Sequence, residues 1–249
     1  MHRARFFPTA TQVGTVIVGG IFLMILVYAL TVSNEPSEKT GLEEYGHLPK
    51  ELAVKVSALE DQIWEEDDSE RKSAKIRELI SLYTLEGRLD LAAGIQRSLA
   101  EIVNTAGAWD LAANMYFDWM LQVDEPERLI FAKYAIDSYR RSLELNPSNI
   151  GVQTDLAAAY MYYPGFMEQA VEQTNLVLAI HPEHVQANFN LGIMMARTKQ
   201  FDRAENQFER VKHLTSETDP RYRESSEAIT RIRSIRIVRD SSRLSREMR

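Results

Sequence analysis

The sequence predicts an all-α chain, with one N-terminal transmembrane helix followed by an α-solenoid of helix-turn-helix repeats between capping helices. Three observations carry that expectation. Residues 13–32 form an uncharged apolar run, small residues recur at a spacing of 34 or 35 within residues 73–217, and helix-forming Ala, Leu, Glu and Arg outnumber the 11 glycines and 8 prolines.

The 249 residues, 45% of them apolar, suffice for one sizeable core or two small ones. The net charge of -7 is unevenly spread, with acids concentrated between Glu35 and Asp219 and arginines gathered at both ends. Such an acidic body argues against nucleic acid as a partner, because phosphate binding needs a concentrated basic face. Cysteine is absent, which excludes disulfides, thiolate zinc sites, a lipoprotein anchor and covalent c-type haem attachment on this chain.

The run VGTVIVGGIFLMILVYALTV (residues 13–32) has the ~20 apolar residues that a helix needs to cross a hydrocarbon core of about 30 Å. Arg3 and Arg5 precede it, and Glu35, Glu38, Glu43 and Glu44 follow with only Lys39 against them. The positive-inside rule therefore puts residues 1–12 in the cytoplasm and the rest of the chain outside. A cleavable signal peptide competes with this reading, with Thr31-Val32-Ser33 as its small-residue site, although the run is longer than a signal core. Gly19-Gly20 suits either close packing of a second helix or the ordinary tolerance of glycine in membrane helices.

Residues 33–47 are polar and rich in helix breakers, as in a short tether. Residues 48–72 follow as an N-terminal capping region, in which Leu52, Val56, Leu59 and Ile63 fall at helical spacing. The acidic run Glu65-Glu66-Asp67-Asp68 reads as a solvated loop before a helix start near Ser69.

Four repeats are expected over 73–105, 106–147, 148–183 and 184–217. The clearest holds Leu191-Gly192, Met195, Ala204 and Phe208; the copy before it holds Leu156-Ala157, Tyr160, Ala170, Thr174 and Pro182. Ala135, Tyr139 and Pro147 keep the same relation one copy earlier, and Trp109, Ala113 and Tyr116 open that unit with a connection to Ala135 that runs about ten residues longer than usual. Leu79, Tyr83, Gly87, Leu89, Ala92, Leu99 and Ile102 form the weakest copy. These residues resemble the tetratricopeptide repeat, in which small residues let paired helices approach and a proline ends the second helix. Physically, Gly192 facing Ala204, and Ala157 facing Ala170, permit close contact while Leu156, Tyr160, Leu191 and Phe208 fill the surrounding space. Pro147 and Pro182 stop helices because the residue before a proline is pushed out of the α region. Three places depart from the pattern: a turn at Val123-Asp124-Glu125-Pro126 between lengthened helices, an extra residue in Tyr163-Pro164-Gly165, and Ser216 where a proline would sit.

The resemblance implies a concave groove lined by the first helix of each pair. Its lining would include Asp155, Ala158, Met161 and Tyr162, then Gln186, Phe189, Asn190, Ile193 and Arg197. Met161, Phe189 and Ile193 would form an apolar floor. Asn190 matches a position where the family often bonds ligand backbone, and an exposed polar residue is the plainer alternative.

Residues 218–249 bring Ala228, Ile229, Ile232, Ile235 and Val238 onto one side of a closing helix, with nine arginines against four acids from Arg221 onward. That helix has three possible roles: capping the solenoid, contact of residues 221–249 with anionic lipid, or contact with an acidic partner.

No nucleophile, base and orienting group occur together in a recognisable catalytic motif, and no Gly-rich phosphate loop is present, so neither an enzyme nor a cofactor is expected. The best metal candidate is His181-Pro182-Glu183-His184 with His213, but a proline junction does not give the shared helical face that two such histidines need. They are read as polar surface positions.

The expected function is that of a protein-binding scaffold or assembly factor held at a membrane. In layout the chain also resembles the tetratricopeptide subunits of bacterial cytochrome c maturation, which implies the bacterial inner membrane, a periplasmic repeat domain and capture of apocytochrome c as an alternative function.

Overall fold

A computed structural model describes residues 49–247, with side chains through residue 238. The expected cytoplasmic segment 1–12, membrane helix 13–32 and tether 33–47 lie outside the described residues. Among the described residues there are ten α-helices and no strand, and no helix is long and apolar enough to cross a membrane.

The chain divides into two units, meeting in sequence at Leu145 and Asn146. The first contains α1 (Lys50–Glu65), α2 (Ser69–Leu85), α3 (Leu89–Val103), α4 (Ala106–Met120) and α5 (Glu127–Leu145). The second contains α6 (Ile150–Tyr162), α7 (Met167–Ile180), α8 (Val185–Arg197), α9 (Phe201–Leu214) and α10 (Pro220–Glu247). Within each unit every helix packs on the next, and the short connections make neighbours antiparallel.

Local chemistry explains the ends. Side chains of Asp68, Thr105 and Asn149 accept the N–H groups of Arg71, Ala108 and Val152 in the first turns of α2, α4 and α6, meeting donors that have no intrahelical acceptor. Asp68 thereby closes the acidic loop, and Glu66 in that loop pairs with Lys75 at 3.1 Å. Gly87 (φ 71) lets Arg88 N–H reach back to the Tyr83 carbonyl at 2.9 Å. Lys199 (φ 61) makes the same reversal after α8, with Gln200 N–H on the Met195 carbonyl at 2.8 Å. The extra residue at Tyr163-Pro164-Gly165 is absorbed in the turn between α6 and α7, where Gly165 takes φ 82.

The small residues that define the repeat are inside. Ala92, Ala113, Ala135, Ala157, Ala170 and Ala204 are fully buried, as are, within a few per cent, Tyr83, Trp109, Tyr116, Tyr139, Leu156, Tyr160, Leu191 and Phe208. Pro147 and Pro182 lie in exposed turns just beyond α5 and α7. Gly192 is the tightest point, since a Cβ there would sit 2.8 Å from Phe208 Cε1. In the first unit Leu52, Val56, Leu59 and Ile63 of α1 pack with Ile76, Leu79, Tyr83 and Leu99. Buried polar groups tie the layers together: Gln96 donates to the Ala108 carbonyl at 3.1 Å, Tyr139 OH to Asn114 Oδ1 at 2.7 Å and Ser142 Oγ to the Ala106 carbonyl at 2.9 Å.

Two apolar expectations are corrected. Ile102, placed with the repeat positions, is exposed on α3. On α10, Ile229 and Ile232 are buried against α9, but Ile235 and Val238 are 47% and 66% exposed. The reason is angular. At about 100° per residue Val238 lies roughly half a turn and Ile235 roughly a third of a turn around the helix from Ile229, and the position that continues the Ile229–Ile232 stripe is Arg236, which pairs with Asp202 and Glu205 of α9.

Two substitutions check this packing in denaturant unfolding. Gly192→Val, forcing a side chain into the Phe208 ring, lowers stability by about 1–3 kcal/mol, the usual cost of overpacking, whereas Gly107→Ala, which meets nothing within 4 Å, does not. Ile232→Ala costs about 2–5 kcal/mol as a cavity in a packed interface, while Ile235→Ala stays within about 0.5 kcal/mol as an exposed change.

Candidate functional site

Every expected groove residue lies in the second unit, on α6 (Asp155, Ala158, Met161, Tyr162) or α8 (Gln186, Phe189, Asn190, Ile193, Arg197). These alternate helices touch, and α8 touches α10 in turn. Arg197, at the end of α8, donates from Nη1 to the Met161 carbonyl near the end of α6 at 3.0 Å. Its guanidinium carbon also stands 4.9 Å from the centre of the Tyr162 ring. At the other end of α8, Arg221 at the start of α10 reaches Gln186 Oε1 at 3.5 Å, the outer limit of a hydrogen bond. Starts meet starts and ends meet ends, so α6, α8 and α10 run parallel and present one face.

On that face Asp155, Ala158, Tyr162, Gln186, Phe189 and Ile193 are half-buried and Arg197 is exposed. Phe189 and Ile193 rest on the Leu191–Phe208 core, with Phe189 edge-on to Phe208 at 5.8 Å between ring centres. Two residues sit deeper than expected. Met161 is buried within the unit, so its carbonyl and not its side chain takes part, and the apolar floor consists of Ala158, Phe189 and Ile193. Asn190 is also buried, and its Oδ1 accepts Gln186 Nε2 at 2.9 Å, which ties the amide in place.

The histidines do not gather. His184 is the N-cap of α8, its Nδ1 accepting Ala187 N–H at 3.2 Å. Burial holds its imidazole below the ordinary range, and the charges of His181 and Arg221 act in the same direction. His181 and His213 are exposed. Among the described residues no group of His, Cys, Asp or Glu is arranged to hold a metal ion.

Sequence reasoning missed three features. Arg221, held by Asp219 at 3.1 Å, belongs beside the groove through its contact with Gln186. On α4 of the first unit, Asp110, Asn114 and Asp118 stand one turn apart, with Asn114 Nδ2 donating to Asp110 Oδ1 at 3.1 Å. Burial pushes both carboxyl groups up from the usual range. The i, i+4, i+8 spacing would have shown this row. Also in the first unit, a polar cleft of about 680 Å³ is lined by Arg97, Glu101, Trp109, Asp137, Arg140 and Glu144 among others. None of the expected groove residues faces it. Its walls are held by pairs within single helices, Arg97–Glu101 at 3.4 Å and Arg141–Glu144 at 2.6 Å.

Two arginines of α10 have carboxylate partners on α9. Arg233 pairs with Glu205 and Glu209 at 2.8 and 3.5 Å, and Arg236 with Glu205 at 2.9 Å and with Asp202.

Among solved structures, the chain is similar to YrrB, a TPR protein with an unusual peptide-binding site, at TM-score 0.50 and 15% identity over 71% of this chain and 82% of that one. The described residues have a tetratricopeptide-like repeat fold. A MamA RS-1 ArsTM double mutant is likewise similar, at TM-score 0.50 and 15% identity over 81% of this chain and 98% of that one. At such identity the likeness is one of fold. No protein-family model matches the sequence, and no curated protein does.

Arg197→Ala, which removes the stack on Tyr162 and the bond to the Met161 carbonyl, lowers stability by about 0.5–1 kcal/mol, the range for an exposed cation–π contact. Urea unfolding of the full chain checks this against Arg203→Ala, whose side chain bonds only Gln200 in the same turn region.

Proposed function

We propose that the chain is a membrane-tethered adaptor, not an enzyme, whose second unit binds an extended or helical segment of a partner protein. The observation that carries this reading is the single face built by α6 and α8. It combines a half-buried apolar strip (Ala158, Phe189, Ile193) with polar groups at its margins, Asp155, Gln186 and Arg197, of which Gln186 is fixed by the buried Asn190 and Arg197 by the Met161 carbonyl. Apolar strips of this kind give a partner side chain somewhere to be desolvated, and polar margins held by intramolecular bonds orient its backbone without a large ordering cost. Gln186 Nε2 is bonded to the buried Asn190 amide, which fixes the half-buried Gln186 side chain beside the apolar strip. The peptide-binding site of YrrB supports the use of this fold for such a task.

In this reading residues 13–32 hold the repeats at the bacterial inner membrane on its outer, periplasmic side, as the charges flanking that run suggest. The partner is a soluble segment or a subunit of a membrane complex. Capture of apocytochrome c is a narrower form of the same proposal, supported by layout alone. Contact of residues 221–249 with anionic lipid is an accessory part of this proposal, in which Arg221, Arg233 and Arg236 take no direct share because carboxylates already engage them.

The test is affinity purification of the full chain in mild detergent, with crosslinking read by mass spectrometry. Crosslinks are expected to fall within residues 150–200, and Ile193→Arg is expected to reduce capture about tenfold, as loss of a central interface anchor does. Crosslinks that avoid 150–200 overturn the groove. Normal covalent haem in membranes lacking the chain removes the apocytochrome form and leaves the adaptor.

A further inference from the structure

We propose that His184 makes the partner-binding face of the second unit acid-sensitive: its neutral imidazole holds the first turn of α8 closed, and protonation releases that turn. The bearing on partner binding rests on the groove proposed above, whereas the test below does not.

The first turn of any helix carries N–H groups with no intrahelical acceptor, and here one of them, on Ala187, is met by His184 Nδ1 at 3.2 Å. An imidazole nitrogen accepts only while it is unprotonated. Adding a proton to Nδ1 replaces the acceptor with a donor facing a donor, and it places a positive charge at the positive end of the helix dipole.

Charged and titratable groups around His184 come from each packed element. His181 closes α7 three residues before it, and Glu183 precedes it in an exposed turn. Arg221 opens α10 and is already engaged by Asp219 at 3.1 Å. Arg210 of α9 donates to the Pro182 carbonyl in the same turn at 2.9 Å. Burial opposes a charge on His184 most, His181 and Arg221 oppose it further, and a hydrogen bond to the His184 backbone favours it without outweighing them.

The affected turn matters because it carries the groove. Gln186, Phe189 and Asn190 all lie within six residues of the cap, and the His184 carbonyl is itself held by Asn188 through both its backbone N–H and its side chain. Opening this turn frees the Gln186–Asn190 pair that fixes the polar margin. In the previous repeat the same place is filled by Asn149, which caps α6 through a side-chain oxygen and does not titrate. The repeat thus supplies its own pH-insensitive version of the cap, 35 residues earlier.

The direction follows from the lowered folded pKa. The cap contributes in full above the ordinary imidazole value of 6.5 and is lost as pH falls through the depressed folded value.

The experiment is amide hydrogen exchange on the full chain in mild detergent at pH 7.5 and pH 5, corrected for intrinsic rates, for the wild type, His184→Asn and His184→Ala. Wild-type protection over residues 185–190 is expected to fall about fivefold on acidification, the factor that one lost cap carries. His184→Asn keeps its protection at both pH values, and His184→Ala is low at both. A parallel fall in wild type and His184→Asn assigns the effect to other groups and overturns the proposal, as does a wild type that does not change. Residues 150–156 behind Asn149 serve as the internal reference and stay constant.

Discussion

The structure depends on how closely two helices can approach where their side chains shrink to almost nothing. At Gly192 a Cβ would stand only 2.8 Å from the Phe208 ring, and Ala204 in the same core is fully buried. A helix as short as the 13-residue α6 is marginal by propensity alone in water, so it persists because one face is buried against neighbours at this short range. The aromatic residues are the complement of the small ones. Tyr83, Tyr116 and Tyr139 of the first unit and Tyr160 and Phe208 of the second fill the wedges that close approach leaves beside the crossing. Enlarging the small residue or removing the ring disturbs the same contact from opposite sides.

Close approach fixes the spacing of a hairpin, but the turns decide where each helix stops. Reversals at Gly87 and Lys199 use one left-handed residue and one backbone bond across the turn. Caps at Asp68, Thr105, Asn149 and His184 set the starts. The equivalence of Asn149 and His184 shows that the repeat demands an acceptor at that place and leaves its chemistry open. That freedom lets one repeat differ from its neighbour in response to pH without changing the fold.

Much of this was legible in the residues, for a physical reason: spacing by 34 or 35 reports a periodic burial constraint, and all the marked alanines are inside. The N-terminal helix was legible from Leu52, Val56, Leu59 and Ile63 because amphipathic period alone determines a buried face. Ile235 and Val238 were misjudged because an apolar residue every few positions was taken for one stripe, whereas the helical period carries the buried face from Ile229 and Ile232 to Arg236 and turns Ile235 and Val238 away. Depth on the groove face was also beyond the pattern. Met161 and Asn190 are buried by neighbours on adjacent helices, and the Arg221–Gln186 contact joins residues 35 apart that only the parallel stacking of α8 and α10 brings together.

The charge distribution resolves in the same way. A sequence with an acidic body and a basic C-terminal segment invites a search for an external anion, yet Asp202, Glu205 and Glu209 of α9 meet Arg233 and Arg236 of α10 directly. Each such surface pair is worth only about 0–1 kcal/mol, so they do not hold the closing helix; Ile229 and Ile232 do that by burial. What the network adds is register. Two arginines three residues apart engage carboxylates spaced along α9, and a slide of α10 by one turn would leave all of them mismatched while costing the apolar contact far less. Register in turn sets where Arg221 falls at the head of α10, and therefore whether it can reach Gln186 at the edge of the groove. The α9–α10 ion pairs thus act on the polar margin at Gln186 through the rigidity of a single helix.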